Sequence, residues 1–498
     1  MAAFERLTTL APGTKLLVGG DRLVTVSAEL ADQFREGDAL RVVVATGELL
    51  HIPHEVRRLV EGTLDQAQTA FAEMGSVSDA QISSFFRAFA ERLADSAVWQ
   101  EVQSVNEADV ARARSSGRST TRLVATEKMR SDMVSGLNGW ANAPSVRGKV
   151  FEHIQHEGWS VDLIGAELGV VGFVFEGRPN VVADATGVLR SGNTVVFRIG
   201  KDALDTARVI VERAAKPALE QAGLPAGAVS LVDSKERAAG WALFSDQRLS
   251  LAVARGSGPA VATLGSLAQQ AGVPVSLHGT GGAWLVAGAS ASAEVLEEVV
   301  FLSLDRKVCN TLNTACLPLD HSQRLVPALL RGLERAGKRR QQAYKLHVTQ
   351  EHLSAIPPEL LQAEIVVVRA EGPVRERKVE AIARTDLGRE WEWEETPEVS
   401  LTLVETTREA VELCNRYSPN FVASLLSEEA TEHEQFYQTV NAPFVGDGFT
   451  RWVDGQFALK RPELGLSNWQ HGRLFGRGGV LSGDSVYTVR TRRRQGAR

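Results

Sequence analysis

The feature that most limits how this 498-residue chain can fold is an alternation between about residues 165 and 290. Short β-branched runs recur there: GVVGFVF, NVVADATGVLR, NTVVFRI, AVSLV, LSLAVA and VPVSL. Helix-length segments such as Lys201 to Ala222 and Gly or Pro punctuation separate them. Repeated strand–helix–strand units predict a mostly parallel sheet with helices on both faces, and ligands of such sheets collect at the carboxyl ends of the strands. A second set, AWLVAG, TACLPL, EIVVV, SLTLV and FVASLL between Ala283 and about Val445, predicts a second α/β unit.

The flanks read differently. KLLV and LVTV around Gly19, Gly20 and Asp21, then RVVVATGELLHI, predict a small β module over residues 1–53. From His54 to about Trp140 the pattern is helical, with Phe85, Phe86, Phe89 and Leu93 on one buried face. KVFEHIQHEGWSVDLIGAELG, centred on Gly158, predicts a hairpin arm of the kind that serves oligomerisation.

Composition narrows the class. With 44% hydrophobic and 23% charged residues the chain has an ordinary globular make-up and can bury a large core. A net charge of −6 gives no reason to expect nucleic acid, although the end is locally basic (Arg490, Arg492, Arg493, Arg494, Arg498), which reads as a solvated end or an intersubunit contact. The first residues lack a signal-peptide pattern and no apolar run is long enough for a bilayer, so a cytoplasmic protein without a membrane partner is expected. Cys309, Cys316 and Cys414 cannot make a disulfide framework and form no CxxC pair, so free thiols and no metal site are expected. GxSxG, HExxH and Walker-type loops are all lacking.

Cys309 lies in SLDRKVCNTLNTACLPL, where a polar loop with Asp305, Arg306 and Lys307 joins a predicted helix to a predicted strand. A partly exposed thiol near positive charge is a better nucleophile, though a cysteine is more often a small buried hydrophobe. Cys316, in an apolar strand, and Cys414, in a helix, fit that second description.

The run GVVGFVFEGRPNVVADATGVLRSGNTVVFRIGKDA resembles the cofactor-domain signature of the gamma-glutamyl phosphate reductases, also called glutamate-5-semialdehyde dehydrogenases, of the aldehyde dehydrogenase superfamily. NEADVARARSSG, GLPAGAVSLVDS, ARGSGPAV, VPVSLHGTGG, VCNTLNTACLPL and TRWVDGQFALKRPELGLS resemble further pieces of that family in the same order, so the resemblance spans roughly residues 76 to 490. It implies an aldehyde dehydrogenase-like α/β fold with two doubly wound parallel-sheet domains, an oligomerisation arm and, here, an added N-terminal β module.

The implied divisions are 1–53, the β-rich extension; 54–282, a helical lead-in and Rossmann-like cofactor domain with the arm at about 149–166; 283–445, the catalytic domain; and 446–498, a return segment with a C-terminal oligomerisation strand whose Val486 to Val489 would pair between subunits. A homodimer or homotetramer follows from the same resemblance.

The resemblance also implies roles. Cys309 attacks an acyl phosphate to form a thioacyl enzyme, which NADPH reduces to a semialdehyde. Asn180 and the Cys309 N–H hold the developing oxyanion, although Asn180 also reads as a helix N-cap. Arg178 suits a phosphate or a carboxylate, or a surface salt bridge, and Asn310 is assigned to substrate. Arg198, Gly200 and Lys201 meet the adenosine end, where positive charge favours NADP over NAD; Arg255, Gly256, Ser257 and Gly258 approach the pyrophosphate. Gly279, Gly281 and Gly282 form a second tight loop. Glu394 meets the nicotinamide ribose or lies on a solvated acidic face. HGTGG carries no acid, so a water-activating base is not expected there.

The chain departs from the family in a shorter DRKVCN, in one residue fewer between Asn180 and Gly192, in Asn313 for a common glutamate, in Trp284 for a frequent histidine and in SNWQHGRLFGRGG. These changes are expected to line the pocket. Three readings follow: reduction of L-glutamyl 5-phosphate; the same chemistry on another acyl phosphate or semialdehyde, with the N-terminal module docking a kinase or carrier; or a non-catalytic scaffold on this fold.

Overall fold

The computed structural model describes residues 7–118, 120, 122–279, 281–369, 372–453, 458–467, 469–470, 473–474 and 479–495. Two compact units emerge: one of residues 1–279, 459–464 and 480–498, the other of 280–458 and 465–479.

The first unit begins with two hairpins, β1 (Lys15–Val18) with β2 (Arg22–Thr25) and β3 (Ala39–Val43) with β4 (Glu48–Ile52), joined through α1 (Ala28–Gln33). Helices α2 (His54–Met74), α3 (Asp79–Ala94), α4 (Ser96–Ser115) and α5 (Glu127–Asn142) follow. A reciprocal capping box starts α3, the Gln81 N–H donating to Ser78 Oγ and the Ser78 N–H to Gln81 Oε1. Its Phe85, Phe86 and Phe89 are sealed, with Phe86 against Trp140 of α5.

The arm is the hairpin β5 (Val150–His156) and β6 (Trp159–Ala166), turning at Gly158, whose φ of +76° suits glycine. The C-terminal strand Thr488–Gln495 pairs antiparallel with β6 of its own chain and forms an edge of this small sheet. Arg492 and Arg494 reach Asp162 at 3.0 and 3.2 Å and Arg493 lies over Trp159, so part of the basic tail is sheet; Arg498 lies outside the described residues.

The first large sheet is parallel throughout, in the order β11–β10–β7–β8–β9, with β7 (Val170–Phe175), β8 (Thr194–Ile199), β9 (Val229–Leu231), β10 (Leu249–Arg255) and β11 (Val275–His278). All six residues of β7 are buried, as a strand covered on both faces requires. NVVADATGVLR, grouped with the β-branched runs, is helical instead: α6 (Val181–Thr186) runs into a 3₁₀ turn over Gly187–Ser191. Two later helices matter below, Arg237–Phe244 after β9 and Gly258–Gln270 after β10.

The second unit holds a seven-stranded parallel sheet, in the order β17–β14–β18–β13–β12–β19–β20. Its strands are β12 (Ala283–Ala287), β13 (Leu312–Pro318), β14 (Lys345–Thr349), β17 (Val379–Ile382), β18 (Glu398–Val404), β19 (Val422–Leu426) and β20 (Phe444–Gly446). EIVVV is not part of it. β15 (Glu364–Arg369) pairs with β16 (Gly372–Arg377) as a separate antiparallel hairpin, the only pairing so short a connection permits.

Candidate active site

Three loops at the carboxyl ends of β7, β8 and β10 are joined through the main chain in the first unit. The Gly200 N–H donates to Phe175 O at 3.0 Å and the Glu176 N–H to Arg255 O at 3.1 Å. A Cβ on Gly200 would meet Gly177 N at 2.7 Å, and one on Gly279 would meet Gly258 Cα at 2.9 Å, so glycine is required where these loops touch. This brings together Arg178, Asn180, Arg198, Gly200, Lys201, Arg255, Gly256, Ser257 and Gly258. Ser257 occupies the N-cap of the 258–270 helix without a side-chain cap bond, and Pro259 sits in its first turn, leaving that turn open to an anion.

The charges on this rim are held to different degrees. Arg198 is half-buried and, among the described residues, donates only to the carbonyls of Lys235 and Glu236 (3.4 and 3.2 Å) and keeps a buried Nε without a partner. Burial, followed by repulsion from Arg237, lowers its pKa. Lys201 is exposed. Arg178 is committed locally: its guanidinium pairs with Glu176, and Arg122 approaches the same carboxylate at 3.7 Å. Asn180 stands at the N-cap of α6 but makes no capping bond; its Nδ2 donates to Asp184 Oδ2 at 3.2 Å, so the capping alternative is not how its side chain is used.

A recess of about 690 Å³ lies beside this rim, between the N-terminal hairpins and the first turn of the 237–244 helix. Arg35, His51, Arg237 and Trp241 are among its walls.

Cys309 belongs to the second unit, in the turn between the 293–302 helix and β13, as the apolar–polar–apolar pattern predicted. It is the one partly exposed cysteine. Cys316 is sealed in β13 and burial raises its pKa well above the usual thiol value; burial pushes Cys414 up to about 12. Those two stay protonated and inert.

The segment 281–283 runs beside the cysteine turn, the Gly282 N–H donating to Cys309 O at 2.7 Å and the Ala283 N–H to Thr311 O at 2.9 Å. A Cβ on Gly281 would lie 2.6 Å from Cys309 Cα and 2.8 Å from Glu390 Oε1, which places an acid that sequence reasoning missed next to Cys309. Both its oxygens are engaged: Oε2 accepts from the Gly281 N–H at 2.6 Å and Oε1 from Lys307 Nζ at 2.7 Å. Glu390 thus holds main chain and a buried lysine, and the positive charge expected of Lys307 is spent on it. Thr280 of the same stretch lies outside the described residues.

Asn313 pins the Glu390 loop from below, accepting from the Trp391 N–H at 3.0 Å and donating to Arg389 O at 2.9 Å. A change of residue at Asn313 therefore acts on this loop. Trp284 does not line a pocket: it is fully buried in β12 among Val286, Cys316 and Leu425. Most of SNWQHGRLFGRGG (468, 471–472, 475–478) and residues 454–457 lie outside the described residues. Glu394 is exposed and its carbonyl accepts from Arg340, whereas Asn310 is buried with Oδ1 accepting from Arg451 at 2.6 Å.

The comparisons with known proteins agree with this layout. The profile described as aldehyde dehydrogenase family matches residues 44–326. This chain belongs to the aldehyde dehydrogenase family. It is thereby an oxidoreductase, and the fold implies a nicotinamide cofactor. The gamma-glutamyl phosphate reductase of Syntrophomonas wolfei is 28% identical over 356 residues, covering 70% of this chain and 76% of the relative. The crystal structure of gamma-glutamyl phosphate reductase from Thermotoga maritima superposes with a TM-score of 0.74 at 20% identity, covering 87% of this chain and 98% of that one. An engineered glycolyl-CoA reductase with bound NADP+ shares the fold at a TM-score of 0.58 and 14% identity, covering 87% and 96%. Among the described residues no group of His, Cys, Asp and Glu is arranged to hold a metal, and no helix is long and apolar enough to cross a membrane.

Proposed function

We propose that this aldehyde dehydrogenase family member reduces L-glutamyl 5-phosphate to L-glutamate 5-semialdehyde and phosphate, with NADPH as reductant. The contrast among the three thiols carries the reading: one is partly exposed between a helix and a buried strand, and two are sealed.

The Cys309 thiolate attacks the acyl carbon; the carbon–oxygen bond to phosphate breaks and phosphate leaves with the electron pair, so a thioester joins substrate to enzyme. When bound, NADPH supplies the hydride. The carbon–sulfur bond then breaks and Cys309 departs again as thiolate. The negative oxygen formed in both steps needs donors, and the family resemblance gives that task to Asn180 with the Cys309 N–H. Glu390, engaged at both oxygens, is a poor base toward water, which favours delivery to hydride over hydrolysis.

The residues present fit the cofactor. The glycine contacts at Gly200 and Gly279 leave no room for side chains, and Arg198 retains an unpartnered buried Nε. Arg198 and Lys201 would hold the 2′-phosphate, and the Arg255–Gly258 turn the pyrophosphate.

The test runs the reaction backwards with glutamate-5-semialdehyde, phosphate and NADP. NADPH should form. Formation with a different semialdehyde but not with this one would move the assignment to another acyl phosphate. Labelling of Cys309 no faster than of Cys316 and Cys414, without protection by NADPH, would leave a non-catalytic protein.

A further inference from the structure

Arg451 projects from the short turn Thr450–Val453 and its side chain is only 4% exposed. Its guanidinium meets Asp305 through two bonds, Nε to Oδ1 at 2.6 Å and Nη2 to Oδ2 at 3.2 Å, and donates from Nη1 to Asn310 Oδ1 at 2.6 Å. Asp305 precedes the thiol by four residues and Asn310 follows it directly. One planar cation thus grips the loop on both sides of Cys309. The Thr450 N–H adds a further tie to Ser303 Oγ at 3.1 Å.

We propose that Arg451 is a positioning residue for the nucleophile, setting the orientation of the Cys309 turn through Asp305 and Asn310. This rests on Cys309 being the nucleophile. The geometry demands arginine: three oxygens in two directions suit a fork of fixed N–H groups, whereas a lysine ammonium is a point charge that cannot hold a carboxylate and an amide at once in this plane. Asn310 is 1% exposed and, among the described residues, its Nδ2 is buried without a partner, so there the bond from Arg451 alone fixes how that amide lies. Without the fork, nothing described holds the side chain next to the thiol.

Catalytic rates respond steeply to small misplacements of a reacting group, so the effect belongs in the chemical step and in the intrinsic reactivity of the thiol. Binding of the cofactor should not change.

The experiment compares the full-length parent with Arg451→Lys and Asp305→Asn, measuring iodoacetamide alkylation of Cys309 by peptide mapping across pH, kcat and KM, and thermal unfolding. Arg451→Lys should lower both the alkylation rate and kcat by tenfold to a hundredfold with KM for NADPH within twofold, and Asp305→Asn should do the same more weakly. Both rates staying within twofold of the parent in both variants would overturn the proposal. So would alkylation that rises with the fraction unfolded in both. If Arg451→Lys slows alkylation while the parent turns over no glutamyl compound, the substrate assignment fails and the positioning role stands. If the parent's Cys309 reacts no faster than its two buried thiols, both fall.

Discussion

At the carboxyl ends of β7, β8 and β10, Arg198 is held only by main-chain carbonyls and Arg237 forms no ion pair among the described residues, whereas around Cys309 Lys307 is bonded to Glu390 and Arg451 to Asp305. The first arrangement keeps positive charge available to an anionic ligand. The second neutralises charge internally and uses it to fix backbone. Two near arginines without a counter-ion destabilise a protein unless a ligand supplies the missing charge, so the rim has the electrostatics of a binding site and the cysteine loop those of a rigid support.

The sharpest test of that division is Cys309 itself. Cys309→Ala should lower kcat by about 10³-fold or more, whereas Cys316→Ala and Cys414→Ala should cost stability and leave turnover per folded molecule nearly intact. Comparable loss of turnover from either buried cysteine would break the contrast. Asn180→Ala, which removes one donor and leaves α6 without losing a cap bond, should lower kcat by roughly 10²-fold. A rise in KM with unchanged kcat would instead assign Asn180 to ground-state binding.

The internally neutralised half makes a stability prediction. Lys345 is buried between Glu376 and Glu380, while Arg369 joins Glu376 to Glu398, which accepts from His347 at 3.0 Å. Lys345→Met would strand carboxylates in the fold and should cost about 3 kcal/mol, read from denaturant unfolding. The same cluster sets an acid limit. Hydrogen bonds from Arg369, followed by those from Lys345, hold the Glu376 carboxyl at about 2, below its ordinary 4.5. A depressed folded pKa means that its contribution is fully present above pH 4.5 and is lost as pH falls towards 2; on the order of 3 kcal/mol is at stake. Glu376→Gln should flatten unfolding free energy against pH in that window.

This cluster also explains which parts of the fold could be read from sequence. GVVGFVF and AWLVAG are apolar throughout, so the parallel sheets were legible. KLHVT and VEAI carry Lys345, His347 and Glu380 and do not look like buried strands; their charges are satisfied by one another and by Glu376 and Glu398, brought in from β16 and β18. EIVVV looked like a core strand because its alternation was hidden by valines: Val367 is buried while Val366 and Val368 are exposed. At the candidate site, Cys309 and the rim glycines lie in short motifs. Glu390 and Arg451 contact the same loop from 83 and 146 residues away, and no spacing rule connects partners so distant.

The rim predicts smaller effects, graded by burial. Arg198→Gln should raise KM for NADPH about tenfold, equivalent to about 1.4 kcal/mol, with KM for NADH changed less than twofold, because only the 2′-phosphate requires the charge. Equal losses for both cofactors would mean that Arg198 shapes the loop and reads no phosphate. Arg237 is exposed in the recess formed with the N-terminal hairpins. Water and salt screen such a charge, so Arg237→Gln should raise KM for NADPH only twofold to threefold, and the difference should vanish in about 1 M salt, where the screening length is about 3 Å. Removing Arg237 also relieves the repulsion on Arg198, which offsets part of the loss. An effect that persists undiminished at high salt would show that Arg237 makes a direct, desolvated contact and would place the cofactor's adenosine end inside the recess rather than beside it.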